Sequence, residues 1–371
     1  FKEASITTVM ITGDHIDTAY AIARELGIAE RETQCITGDV LNHMTQEDLN
    51  AAVPNLRVFA RVSPENKVMI VNAFRSHGHI VSMTGDGVND APSLKSADIG
   101  VAMGITGTDV AKSAADMILT DDNFATIQKA IEEGRNIYNN IKKSVLFLLS
   151  SNLGEIITMF VAIVSGFATP LKAIHILWVN LITDSLPGLA LGVDSGDPDI
   201  MKNAPRHPKE NLFARGGFAI TIFFGIVIGA ITLSAFLATP ITVLLDAGRQ
   251  ITLANLKFAL LDESVYIRSQ TYAFSTLAVS QLFNAIGMRN LNKSIFKLNH
   301  LNNKMMLIAF GVGMLLQISV TEVNWLIIIF GTAELSFQEW ISLIALSTVP
   351  LWFHELFVFI KFLKSRTVKS K

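Results

Sequence analysis

Thr84-Gly-Asp-Gly-Val-Asn-Asp-Ala-Pro92 puts two carboxylates, Asp86 and Asp90, on a glycine-rich turn directly after the apolar run His79 to Met83. The order is that of a strand feeding a metal site. Gly85 and Gly87 open turn geometries closed to other residues, so both acids can face one point at the carboxyl end of the strand. Paired hard oxygens of this kind suit Mg2+, which is usually held by one or two carboxylates together with substrate phosphate.

Outward from this turn, strand and helix signals alternate. Ile6 to Ile11 reads as a buried strand, Asp14 to Leu26 as a helix stopped by Gly27, Gln34 to Ile36 as a weak strand, Thr45 to Ala52 as a helix and Arg57 to Ala60 as a strand. Ser63 and Pro64 open a helix over Glu65 to Ser76. After His79 to Met83 come a short helix from Ala91, the strand Ile99 to Met103, a helix over Thr108 to Ala114 and the strand Met117 to Leu119. Such alternation with short links predicts a mainly parallel, doubly wound sheet whose ligands sit off the carboxyl ends of its strands.

The remainder of the chain is built for a different solvent. Half of the 371 residues are hydrophobic and only 17% are charged, which is too oily for one soluble domain and implies a membrane portion. Three regions follow: a soluble part over 1–122, a charged helix over 123–144, and a membrane part over 145–371. Phe124 to Lys143 runs into apolar residues at Val145 with no proline between, so one helix is expected to enter the bilayer. With about 20 apolar residues per crossing, six spans are predicted: Val145 to Val164, Ile174 to Leu191, Phe218 to Leu237, Thr271 to Met288, Met305 to Val323 and Trp340 to Phe362. Lysine and arginine gather before the first span, in Asp194 to Gly217, in Arg289 to Lys304 and in the tail Lys361 to Lys371. Those links are expected to be cytoplasmic, on the same side as the soluble region. The single cysteine, Cys35, excludes an internal disulfide, and a net charge near −2 gives no reason to expect nucleic acid.

Carboxylates inside a span are functional candidates by default, because lipid makes them costly unless they are paired or bind an ion. Ser150-Ser-Asn-Leu-Gly-Glu155 sets Asn152 and Glu155 on one helical face, and Trp178-Val-Asn-Leu-Ile-Thr-Asp184 does the same for Asn180, Thr183 and Asp184. Pro187 would loosen the second helix and free backbone carbonyls. Carboxylate, amide and hydroxyl oxygens without imidazole or thiolate point to a hard cation, with Ca2+ favoured by its tolerance of six to eight ligands. Gly311-Val-Gly313 is expected to permit close helix packing.

The Thr84 to Pro92 string resembles the hinge motif of P-type ATPases, ion pumps whose phosphorylation domain has a haloacid-dehalogenase-like fold. Thr12-Gly13-Asp14 resembles the family's second phosphate-contacting motif, and Arg61-Val-Ser-Pro64 followed by Lys67 resembles the segment that supplies the catalytic lysine. The resemblance implies that the Thr12 hydroxyl and the Gly13–Asp14 turn hold phosphate oxygens, that Lys67 neutralises developing charge, that Asp86 holds Mg2+ and that Asp90 braces the loop. Asn152, Glu155, Asn180, Thr183 and Asp184 match the ion ligands of sarcoplasmic-reticulum-type calcium pumps. Where that branch has a liganding glutamate in the fourth span, this chain has Gln281, a departure that removes one charge and puts a second Ca2+ in doubt.

The family's phosphorylated aspartate lies in an Asp-Lys-Thr-Gly-Thr motif, and that string does not occur here. The resemblance therefore implies the carboxyl-terminal portion of a longer pump in the plasma membrane. Its ATP site, actuator domain, first four helices and a further liganding glutamate would lie outside this sequence, and the 371 residues alone would be inactive. Other readings are a pump for Mn2+ or another cation, a membrane-tethered phosphatase of the same fold, and a truncated regulator without enzyme activity.

Overall fold

A computed structural model describes the backbone of residues 1–369 and the side chains of residues 1–363; the rest of the basic tail lies outside the described side chains. The chain divides into two compact units, Phe1–Arg135 with Asp197–Glu210, and Asn136–Gly196 with Asn211–Lys371.

In the first unit the alternation appears as β1 (Met10–Thr12), α1 (Ile16–Glu25), β2 (Cys35–Thr37), α2 (Gly38–Leu41), α3 (Gln46–Ala52), β3 (Val58–Ala60), α4 (Pro64–Ser76), β4 (Ser82–Gly85), α5 (Ala91–Ser96), β5 (Ile99–Met103), α6 (Asp109–Ala114) and β6 (Met117–Leu119). All strand pairs are parallel, in two three-stranded sheets of order β1-β3-β2 and β4-β5-β6. The single sheet expected from the alternation is thus divided between β1 and β4. α4 packs on both: Ile70 and Ala73 join the core over β3, while Val71 joins Met83, Leu94 and Ala102. Ile11 of β1 reaches both clusters.

Two strands begin later than the apolar runs suggest. Pairing opens at Met10 with Val58 and at Ser82 with Ile99, so Ile6 to Val9 and His79 to Val81 precede the ladders. The helix starts match their caps: Thr45, Ser63 and Thr108 each accept an amide from the first turn that follows. After β6, Asp122 adopts φ 49° and its carboxylate collects the amides of Ile105, Thr106 and Gly104 and the Thr106 hydroxyl. Those bonds, led by the Ile105 amide, hold the Asp122 carboxyl at about 2.

The second unit is helical. It takes in α7 (Phe124–Val164) from Asn136 onward, α8 (Ala173–Trp178), a π-helical turn (Val179–Asp184), α9 (Ser185–Gly192), α10 (Gly217–Asp246), α11 (Leu253–Ala259), α12 (Glu263–Met288), α13 (Lys304–Glu322), α14 (Asn324–Phe330), α15 (Phe337–Ser347) and α16 (Val349–Lys369). α7 is a continuous helix of 41 residues, as the missing proline implied. Among the described residues five helices are long and apolar enough to cross a membrane: Phe124–Val164, Ala173–Gly192, Gly217–Asp246, Lys304–Glu322 and Phe337–Leu363. Side chains such as Phe160 and Leu315, 65% and 67% exposed, fit lipid rather than water on their outer faces.

The expected span Thr271 to Met288 falls in α12, which is outside that set of five. The helix is long enough, but Ser269, Gln270, Thr271, Ser275, Thr276, Ser280, Gln281 and Asn284 lower its hydropathy, and all eight are buried. α12 is the protein-enclosed centre of the bundle, sharing cores with α10, α13, α15 and α16 or their flanking residues. The last predicted span is broken at Thr348, because Pro350 in the first turn of α16 lacks an amide to donate backwards. α7 and α10 approach closely through small residues that sequence reading passed over: a Cβ on Gly154 would meet Ile228, and one on Gly229 would meet Ile157. Of the pair singled out instead, Gly313 abuts Leu282 of α12, and Gly311 faces open space.

Because its carboxyl is depressed, the contribution of Asp122 to stability is present in full above the ordinary carboxylate value near about 4 and is lost as pH falls towards about 2. Asp122→Asn is expected to lower the thermal midpoint at neutral pH, with the gap to the parent protein closing on acidification; a gap independent of pH would contradict this.

Candidate functional site

The turn that follows β4 is organised by Asp90. Its Oδ1 accepts from Lys67 Nζ at 2.5 Å, and its Oδ2 accepts the amides of Asp86 at 3.2 Å and Gly87 at 3.1 Å. Gly85 is required for this approach, since a Cβ there would overlap the Asp90 side chain. Burial on its own would raise the Asp90 carboxyl, but the Lys67 ammonium together with the Gly87 and Asp86 amides holds it below the ordinary range. Asp90 is buried, whereas Asp86 is exposed with its carboxylate free of protein hydrogen bonds among the described residues.

The other predicted phosphate-site residues also sit at carboxyl ends of strands. Thr12 ends β1, and its hydroxyl donates to Asp14 Oδ2 at 3.0 Å and accepts the Asp14 amide at 3.1 Å. A Cβ on Gly13 would meet nothing within 4 Å, so that turn is open. Arg61 follows β3 with φ 52°, an uncommon value for a residue with a side chain. Lys67, Asp86 and Asp90 are thus joined by contacts, while Thr12 and Asp14 bond to each other.

In the helical unit the predicted oxygen ligands converge. Glu155 of α7 accepts from Asn180 Nδ2 at Oε2 and from Gln281 Nε2 at Oε1, both at 3.4 Å. Gln281 Oε1 in turn accepts from the Thr183 hydroxyl at 3.2 Å. Three elements therefore meet: α7, the π-helical turn and α12. Glu155, Thr183, Asp184 and Gln281 are all buried, from 0% to 5% exposed. Asn152 stands apart, donating to Leu148 O of its own helix at 2.9 Å.

Asp184 is the outlier. Both of its carboxylate oxygens are buried without a well-formed hydrogen bond; the Ser151 hydroxyl, which likewise lacks one, is the donor that faces them. An ionised carboxylate left without partners costs more than the roughly 2–7 kcal/mol of an uncompensated amide or hydroxyl, which keeps Asp184 the leading functional candidate of the helical unit. The π-helical turn explains how its oxygens are presented: the wider winding places Asn180, Thr183 and Asp184 in one turn, and Ser185 Oγ donates to the Asn180 carbonyl at 2.9 Å. Nearby, Asn284 donates to Ser150 Oγ at 3.2 Å, tying α12 to α7. Ser151 lay within the string that identified Asn152 and Glu155, but a serine in an apolar helix commonly bonds to its own backbone and so gave no signal.

Among the described residues no group of three or more His, Cys, Asp or Glu side chains could hold a metal ion. Any cation here must therefore take amide, hydroxyl or main-chain oxygens beside the two carboxylates. That donor chemistry is hard and oxygen-only.

Comparison with known proteins matches residues 168–360 to the family model for the C-terminus of cation transporting ATPases. The chain belongs to the cation-transporting ATPases. Residues 1–98 match haloacid dehalogenase-like hydrolases, in keeping with the parallel sheets and the expected fold. A "Calcium-transporting ATPase 1" of Bacillus cereus is 54% identical over 96% of this chain and 39% of its own length. A "Calcium-transporting ATPase" of Bacillus subtilis is 45% identical over 94% of the chain and 37% of its own length. For a "Calcium-transporting ATPase type 2C member 1" of Pongo abelii the figures are 37%, 93% and 35%. The chain thus spans under two fifths of the length of these relatives. Family and apolar helices together make it part of a multi-pass membrane protein.

Lys67→Met would leave Asp90 buried without its cation. A loss of about 2 kcal/mol is expected, largely recovered in Lys67→Met/Asp90→Asn; additive losses in thermal unfolding would show that the pair is not coupled.

Proposed function

We propose that this sequence is the carboxyl-terminal part of an ATP-driven pump that exports Ca2+ from the cytoplasm through an aspartyl-phosphate cycle. The observation that carries the reading is the buried Asp184 carboxylate, without a well-formed hydrogen bond and close enough to Glu155 for the two charges to interact. Glu155, Asp184, Thr183 and the side-chain amide oxygens of Asn180 and Asn152 are the proposed ligands, the Asn152 nitrogen staying on the Leu148 carbonyl, with Gln281 orienting Glu155 and Thr183. The relatives' printed names support Ca2+ as the cargo. α12 serves as a sixth span, screened from lipid by its neighbours, and the plasma membrane is the expected location.

In the phosphate-handling unit, Asp86 would hold Mg2+, whose chemistry is to neutralise the charge of a phosphoryl group supplied by ATP. Lys67 and the open Thr12–Gly13 turn would contact the same phosphoryl oxygens, and Asp90 fixes Lys67 and the Asp86 and Gly87 amides in place. The reacting aspartate is not among the motifs of these residues, so it belongs to the remainder of the pump.

In the full-length pump, Asp184→Ala is expected to abolish Ca2+-dependent ATP hydrolysis and phosphorylation; a variant with an unchanged Ca2+ requirement would refute the assigned site. Because the position of Gln281 carries no charge, one Ca2+ is expected per phosphoenzyme in radiolabelled-ion binding, with Mn2+ as the competitor to test. A stoichiometry of two would show that Gln281 does not limit the site.

A further inference from the structure

The helical unit contains a second buried charge centre, whose main partners Asp194 and Arg289 follow Asp184 and Gln281 a few turns further along the chain. Asp194 lies just past the end of α9 and its side chain is 4% exposed. Arg289, the C-cap of α12 and 5% exposed, donates to it in bidentate fashion: Nη2 to Oδ1 at 2.9 Å and Nε to the two oxygens at 3.2 and 3.3 Å. Asn303, which caps α13, donates Nδ2 to Asp194 Oδ1 at 2.9 Å and to the Ala190 carbonyl of α9 at 2.8 Å. From α7, Lys143 Nζ stands 3.7 Å from Asp194 Oδ2, and Asn140 Nδ2 donates to the Asp194 carbonyl at 2.7 Å.

The elements tied together here are those that carry the cation-site side chains. α7 bears Glu155, the π-helical turn continuous with α9 bears Asn180, Thr183 and Asp184, and α12 bears Gln281. We propose that Asp194 is a positioning residue for the cation site: this one buried residue ties the carboxyl ends of α9 and α12 to the middle of α7, and those are the helices whose oxygens meet around Glu155. The inference rests on the reading that those oxygens hold the transported cation.

Physics favours register over raw stability as the role of this centre. Burying an ion pair gains little net stability over an apolar contact, yet removing one partner leaves a buried charge alone. A guanidinium paired in bidentate fashion also fixes angle as well as distance. The contacts at the Glu155 site are long, at 3.4 Å, so small shifts of α12 against α7 would open them. Outer groups that orient ligands in this way commonly change metal affinity by about 10–100-fold when lost.

The test uses the full-length pump and compares Asp194→Asn, Asp194→Asn/Arg289→Gln and Asp184→Ala. For each, the Ca2+ concentration for half-maximal phosphorylation by ATP is measured alongside the phosphoenzyme level at saturating Ca2+. Asp194→Asn is expected to raise the half-maximal Ca2+ about tenfold while keeping the saturating phosphoenzyme level. The double variant, in which no guanidinium is left without its carboxylate, is expected to recover part of that shift. If Asp194→Asn does not fold, the double variant is decisive: a half-maximal Ca2+ like that of the parent protein overturns the proposal, and a raised one supports it. A folded Asp194→Asn with unchanged Ca2+ dependence, beside an inactive Asp184→Ala, overturns the positioning role alone. Unchanged Ca2+ dependence in Asp184→Ala overturns the cation-site reading, and the positioning role with it.

Discussion

A carboxylate enclosed by apolar helices needs compensation, and the helical unit is organised around two that differ in how much of it the protein supplies. Glu155 shares its oxygens with the amides of Asn180 and Gln281, whereas neither oxygen of Asp184 has a well-formed hydrogen bond. To hold such groups away from lipid the bundle needs a polar core, and α12 supplies it at the expense of its own hydropathy. To bring α7 against its neighbours it needs small residues, and Gly154, Gly225 and Gly229 supply those. The polar centre and the thin helix contacts are two sides of one requirement.

The unit of parallel sheets follows a comparable logic. There the difficulty is to keep like charges close at a strand end. Asp90 is neutralised by Lys67 and by two amides of its own turn, which leaves Asp86 outward and unbonded. Gly85 makes the arrangement possible by leaving room for the Asp90 side chain. A loop sequence that looks permissive is therefore tightly specified by one ion pair.

Much of this was legible from residue order alone. Period and caps located β5 and β6 to the residue, placed Ser63 and Thr108 at helix starts, and exposed α7 through a missing proline. Local pattern failed where the deciding partner was distant. The strands before Met10 and Ser82 were overextended because pairing, not hydrophobicity, ends a ladder. The two short helices α11 and α14 lie in links that carry no strong period, and they went unseen. Asn152 and Asn180 each place the amide nitrogen on a carbonyl of their own helix, a detail that spacing does not decide. The contact of Asp194 with Arg289 joins residues 95 positions apart, beyond any helical periodicity. Gln281 was visible only because a family pattern drew attention to its position.

The π-helical turn at Val179–Asp184 also constrains how the sequence can change. A turn of this kind holds one residue more than an α-helical turn, so deleting a single residue there would restore regular winding. The extra residue is absorbed within the turn, so the helix beyond Ser185 would keep nearly its present rotation, while Asn180, Thr183 and Asp184 would lose the winding that presents them together. A change of length within that segment thus acts on how its oxygen-bearing side chains are presented, and leaves the helix that follows in place. The segment between Trp178 and Ser185 is therefore fixed in residue number as well as in chemistry.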